Sequence, residues 1–142
     1  MKFVEVEETH AVNHPLLRER VEKGKRSGTR EFLAFFDGVE AGLLIFEHFP
    51  NNSLGFVYEI YVLEQFRAMG IGNQLLSLAE TVALDSGCTT LRLTARSLDQ
   101  EFINDENLMS WYGRKGFIRD SSDPGGMQKS LTNEIMSARN LD

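Results

Sequence analysis

The sequence predicts an α/β fold in which a mixed sheet is covered by helices on both faces. Three observations predict it. Residues 31–37 and 39–49 form two runs in which both alternating sets are largely apolar, so strands built from them need cover on each side. Asp37-Gly38 between the runs is a turn dipeptide placed to make a hairpin. Residues 56–95 then read strand–helix–strand, the length that a right-handed parallel crossover requires.

Each element follows from its own residues. Residues 2–8 read as a first strand, and Asn13-His14-Pro15 opens a helix that runs to about Lys23 and is ended by Gly24. A basic loop over 24–30 leads into the hairpin. The strand from about Phe56 to Val62 passes through a short polar loop into a helix whose Ile71, Leu75, Leu78, Ala79 and Val82 recur at helical spacing until Gly87. Residues 89–95 give the next strand. A further helix, capped by Asn104 or Asp105, carries Leu108, Trp111, Tyr112 and Lys115 on one stripe and ends at Gly116. Phe117–Arg119 and Met127–Leu131 close the sheet across a Ser-Ser-Asp-Pro-Gly-Gly turn, and residues 132–142 form a polar tail. With no repeat and no internal linker, residues 1–142 read as one domain with its core over about 2–131.

Composition narrows the function. Fifteen Lys and Arg against 21 Asp and Glu give a net charge of −6, which argues against a general nucleic-acid binder because phosphate neutralisation needs cations in surplus. The same surplus of glutamates would attract a polyamine or a lysine side chain. Cys88 is the only cysteine, so neither an intramolecular disulfide nor a cysteine zinc site can form, and it reads as a small buried hydrophobe. His10, His14 and His48 lack metal-ligand spacing, so no metal site is expected. Glu5, Glu7 and Glu8 stand where a signal peptide would need an apolar run, which gives a cytoplasmic, non-membrane expectation.

The stretch that carries chemistry is 58–76. A strand ends at Val62, and Arg67, Gly70 and Gly72 open a helix, so several N–H groups without helical partners point out of one turn. Such a turn binds phosphate. A dinucleotide fingerprint would need a third glycine where the chain has Leu75, and a phosphate loop of the nucleotide triphosphatases would need Gly-Lys-Ser/Thr where it has Gly72-Asn73-Gln74.

Val62 followed by Arg67-Ala68-Met69-Gly70-Ile71-Gly72 resembles the acyl-CoA-binding segment of the GNAT superfamily of N-acetyltransferases, Arg/Gln-x-x-Gly-x-Gly/Ala at the start of a helix. Tyr112-Gly113-Arg114-Lys115-Gly116-Phe117 is similar to that family's Tyr-x-x-x-Gly-Phe, and the resemblance extends from about Leu33 to Leu131. It implies a six- or seven-stranded sheet splayed in the middle, between the strands at 56–62 and 89–95, with acyl-CoA wedged in the gap. By the same resemblance, the backbone of Val62 and Leu63 would face the pantetheine and thioester. Arg67 and the amides of Ala68, Met69, Gly70, Ile71, Gly72 and Asn73 would hold the pyrophosphate.

Tyr112 takes the place of the family's acid. Glu59, put by alternation on the face of Val57 and Tyr61, takes that of a base working through water or of a binder for a cationic acceptor. The family's CoA-contacting Asn falls at Asp105 here, leaving Asn104 or Asn107 to serve, and the connection over 96–107 is longer than usual. The implied function is transfer of an acetyl group from acetyl-CoA to a primary amine of a small molecule, peptide or protein, with a homodimer as the expected assembly. The alternative is a non-catalytic acyl-CoA-binding regulatory module.

Overall fold

A computed structural model describes residues 1–131, and the expected polar tail lies outside the described residues. The strands are β1 (Lys2–Glu5), β2 (Thr29–Phe36), β3 (Val39–Phe49), β4 (Leu54–Val62), β5 (Thr90–Thr94), β6 (Ile118–Arg119) and β7 (Gly126–Ser130). The helices are α1 (Pro15–Gly24), α2 (Ile71–Asp85) and α3 (Asp105–Arg114). One seven-stranded sheet runs in the order β1-β2-β3-β4-β5-β7-β6, antiparallel throughout except where β4 lies parallel to β5. The expected fold class holds, with β1 stopping at Glu5 rather than at residue 8 and β4 starting two residues early.

The β2–β3 hairpin closes on Asp37 and Gly38, both with positive φ (53° and 79°), the backbone that a two-residue hairpin turn demands. The two faces of β3 explain its continuous apolar run. Leu43 and Ile45 pack with Leu33 and with Leu17 and Val21 of α1, while Leu44 and Phe46 pack with Val57 and with Leu75, Leu76 and Ala79 of α2. Each fully buried Leu, Ile or Phe among them contributes about 1.5–3 kcal/mol relative to exposure. Tyr112 and Leu108 of α3 join the same apolar cluster as α2. Cys88 is buried within it, and that burial pushes its thiol pKa up, as befits an inert packing residue.

The N-terminus of α1 is held by a buried carboxylate. Glu40 on β3 accepts from the Asn13 and His14 amides at 2.9 and 2.7 Å, and His14 in turn accepts from the Leu16 amide through Nδ1. Those contacts satisfy amide groups that the helix itself cannot, and they place α1 across β3 and β4.

β4 and β5 pair only from Leu54↔Thr90 to Val57↔Leu93. On its other side β4 stays on β3 as far as Val62↔Gly42, but the register steps between Phe46↔Val57 and Ile45↔Glu59, leaving Tyr58 as an extra residue. A bulge of this kind bends and twists the strand that carries it. The sheet therefore opens between β4 and β5 beyond Val57.

Candidate active site

The opening is a cleft of about 440 Å³, walled by β4 from Val57 to Val62, the Arg67–Asn73 turn, the end of β5, the loop after β5, and Trp111 and Tyr112 of α3. One of its walls is the turn into α2. Gly70 caps the helix with φ 82°, Ala68 also has positive φ (63°), and the first bond within α2 runs from the Gln74 amide to the Gly70 carbonyl. Among the described residues, none accepts from the six amides of Ala68, Met69, Gly70, Ile71, Gly72 and Asn73. A Cβ built on Gly70 or Gly72 would meet nothing within 4 Å, so the space over these amides is open. Unpaired N–H groups at the positive end of a fifteen-residue helix form an anion cradle.

The end of β4 divides its backbone between two neighbours. The Leu63 amide donates to Ala41 on β3 at 2.9 Å, its carbonyl accepts from the Phe66 amide, and its side chain is 1% exposed. Leu63 therefore does not face the cleft, which corrects the expectation for it. Because successive residues of a strand turn their polar groups to opposite sides, Val62 turns its own into the gap, and its carbonyl there accepts from Arg67 Nε at 2.9 Å.

Arg67 is not free over the amide turn. Its guanidinium pairs with Asp99, lies over the rings of Tyr61 and Phe102 at 5.5 and 5.1 Å, and leaves its side chain only 11% exposed. The Arg67 hydrogen bond holds the Asp99 carboxyl below the usual carboxylate range. Asp99 belongs to the long loop after β5. Asp105, where the family pattern has Asn, accepts from Gln100 Nε2 and the Ser97 amide at 2.7 Å each and so anchors the base of that loop. Asn104 spends its side chain as the α3 cap, accepting from the Asn107 amide at 2.8 Å, and neither asparagine lines the cleft.

Glu59 and Tyr112 both line the cleft. The bulge at Tyr58 reverses alternation, so Glu59 shares a face with Ile45 and Tyr61 while Val57 turns to the opposite one. That corrects the face predicted from simple alternation. Glu59 is paired with Arg20 of α1, whose guanidinium carbon sits 4.5 Å over the Tyr61 ring. Tyr112 is wedged edge-on between Trp111 and Phe117, with centroids at 4.9 and 5.6 Å. Burial pushes its phenol pKa far above the ordinary value, and its hydroxyl makes no hydrogen bond among the described residues. Arg20 and Asp99 were not singled out from the sequence. They lie 39 and 32 residues from their partners, and no local pattern in the sequence joins them.

Residues 3–104 match the family model described as acetyltransferase (GNAT) family. The chain belongs to the GNAT acetyltransferase family. Within this family, the N-alpha-acetyltransferase MAK3 of Arabidopsis thaliana is 28% identical to it over 90 residues, which are 62% of this chain and 44% of that protein. The GNAT chain thus spans less than half the length of this curated relative. Among solved structures, GCN5 of Tetrahymena superposes with a TM-score of 0.65 at 13% identity, over 92% of this chain and 96% of that one. The PaiA N-acetyltransferase of Thermoplasma acidophilum, solved in complex with coenzyme A, superposes with a TM-score of 0.61 at 16% identity, over 92% and 99%. These superpositions show the shared fold.

Proposed function

We propose that this GNAT chain transfers an acetyl group from acetyl-CoA to a primary amine. The observation that carries the reading is the union, in one cleft, of six unpaired amides at the head of α2 with the unpaired edge of β4. The open space over Gly70 and Gly72 suits a diphosphate, which would take the amides of 68–73 as charge-assisted donors. The pantetheine, an amide-bearing arm, finds strand-like partners in the polar groups that Ile60 and Val62 turn into the gap.

The reaction then follows from the groups present. The acceptor ammonium gives one proton to solvent, and its nitrogen attacks the thioester carbonyl. The Val62 amide is the β4 donor placed for the developing oxyanion. As the C–N bond forms and the C–S bond breaks, the leaving thiolate needs a proton. Tyr112, which lines the same cleft, supplies it and recovers a proton from the attacking nitrogen as the amide forms. Glu59 keeps Arg20 as its charge partner and offers the acceptor its remaining oxygen, which supports a binding role for it.

Mass-spectrometric detection of the N-acetylated amine and of free CoA thiol, in wild type and Tyr112→Phe, tests the reading. Transfer slowed in the variant upholds it. Acetyl-CoA binding with no transfer to any amine would instead make the chain the non-catalytic acyl-CoA module.

A further inference from the structure

The pairing of Arg20 with Glu59 leaves half of each group unused. Only Arg20 Nε is bonded to Glu59, through Oε2, and neither terminal nitrogen of the guanidinium has a hydrogen bond among the described residues. Glu59 Oε1 is likewise without one. Both side chains are half-buried, at 24% and 14% exposed, yet none of these free atoms is sealed from solvent, since the one sealed unpartnered side-chain atom among the described residues is Oε2 of Glu31. Arg20 is not itself among the residues that wall the cleft, but Glu59 is, and the hydrogen bond between them brings a ligand that enters beside Glu59 to the pair.

What remains is a two-pole reader. The end of the guanidinium presents two parallel N–H donors, the fork that matches a carboxylate, and the Tyr61 ring 4.5 Å beneath fixes its plane. The adjacent carboxylate oxygen suits an ammonium. Because the poles are joined by a shared hydrogen bond, the ligand's two charges must lie within a few bonds of each other, as on a small molecule. A polyamine, which the acidic composition alone would favour, would bring its second cation against Arg20.

We propose that the acceptor is a free α-amino acid, its carboxylate taken by the terminal nitrogens of Arg20 and its ammonium by Glu59. This rests on the acetyl-transfer reading for its chemistry and on the Arg20–Glu59 geometry for its selectivity.

The test measures kcat/KM with each of the protein amino acids beside its carboxamide and its decarboxylated amine, in wild type, Arg20→Gln and Arg20→Lys. One acid or more should exceed its carboxamide by about tenfold or more, the scale of one charged hydrogen-bonded contact. Arg20→Gln should bring that ratio within about threefold whatever happens to the rates, and Arg20→Lys should restore part of it. Carboxamides or plain amines used as well as the acids would overturn the proposal and point to a peptide N-terminus or a simple amine. So would a ratio that Arg20→Gln leaves unchanged. If no compound is acetylated, binding of the same amino acids followed by ligand-observed NMR separates the two readings. Binding weakened about tenfold by Arg20→Gln would uphold the amino-acid site while the transfer reading falls, and no binding to wild type would overturn the site itself.

Discussion

Gly72→Glu should make the protein more stable and the cleft less able to hold its anion. Gly72 lies in the first turn of α2, and a Cβ there meets nothing within 4 Å, so the substitution creates no clash. Replacing glycine by a good helix former gains up to about 1 kcal/mol, and an acidic group in the first turn adds about 0.3–1 kcal/mol with the helix dipole. The melting temperature should rise by about 2–5 °C. The same carboxylate would stand over the amides of 68–73. A like charge about 5 Å from a bound phosphate at an effective dielectric near 20 costs about 3 kcal/mol, and roughly half of that if the side chain swings aside. Affinity for acetyl-CoA should therefore fall about tenfold to a hundredfold. Gly72→Ala, which the family motif admits, should hold affinity within about threefold. Calorimetric titration and thermal unfolding of the three proteins read both quantities. Unchanged affinity in Gly72→Glu would refute the cradle, and a melting temperature lowered by several degrees would refute the open space assigned above Gly72.

Tyr112→Phe should slow acetyl transfer by about 10²–10⁴-fold, the range for a lost general acid, with acetyl-CoA affinity by calorimetry held within about twofold. Glu40→Ala removes a buried carboxylate that accepts from two amides at the head of α1, so denaturant unfolding should show a loss of about 1–3 kcal/mol. The pH dependence has a definite sign at both ends. The Asp99 carboxyl is held low by Arg67, so their pair is intact above the ordinary carboxylate pKa and is lost only as pH falls through the depressed one. Hydrogen exchange at the Phe102 and Ile103 amides should therefore match that of Asp99→Asn in strong acid alone. The Tyr112 phenol is raised by burial, so its contribution to stability is full below the free phenol's pKa of about 10 and is lost as pH climbs above it. Phenolate absorbance should show one of the three tyrosines resisting ionisation until the protein unfolds.

Much of this was legible because it depends on local residue chemistry. Asp37-Gly38 announced its hairpin through the φ values such a turn needs, and Gly70 announced the tight entry into α2 through its positive φ. Helical periodicity put Tyr112 on the apolar stripe of its helix, and the resemblance of Tyr112–Phe117 to the GNAT motif put it at the site. The misses share another cause. The bulge at Tyr58 leaves no residue signature, yet it swings Glu59 to the opposite face from Val57 and parts β4 from β5. Leu63 looked like the next cleft residue after Val62, but strand alternation sends its amide to Ala41. The partners of Arg67 and Glu59 lie 32 and 39 residues away and are set by how the loop after β5 and α1 pack, which no local pattern encodes.

On the proposed reading, the head of α2 and the free edge of β4 together hold an acyl-CoA. Titrating acetyl-CoA into ¹⁵N-labelled protein while recording backbone amide shifts tests it most directly. The amides of Ala68 to Asn73, with Val62, should move together and saturate along one binding curve. Saturable binding that leaves those amides unmoved, or no binding by a folded protein at millimolar acetyl-CoA, would contradict it.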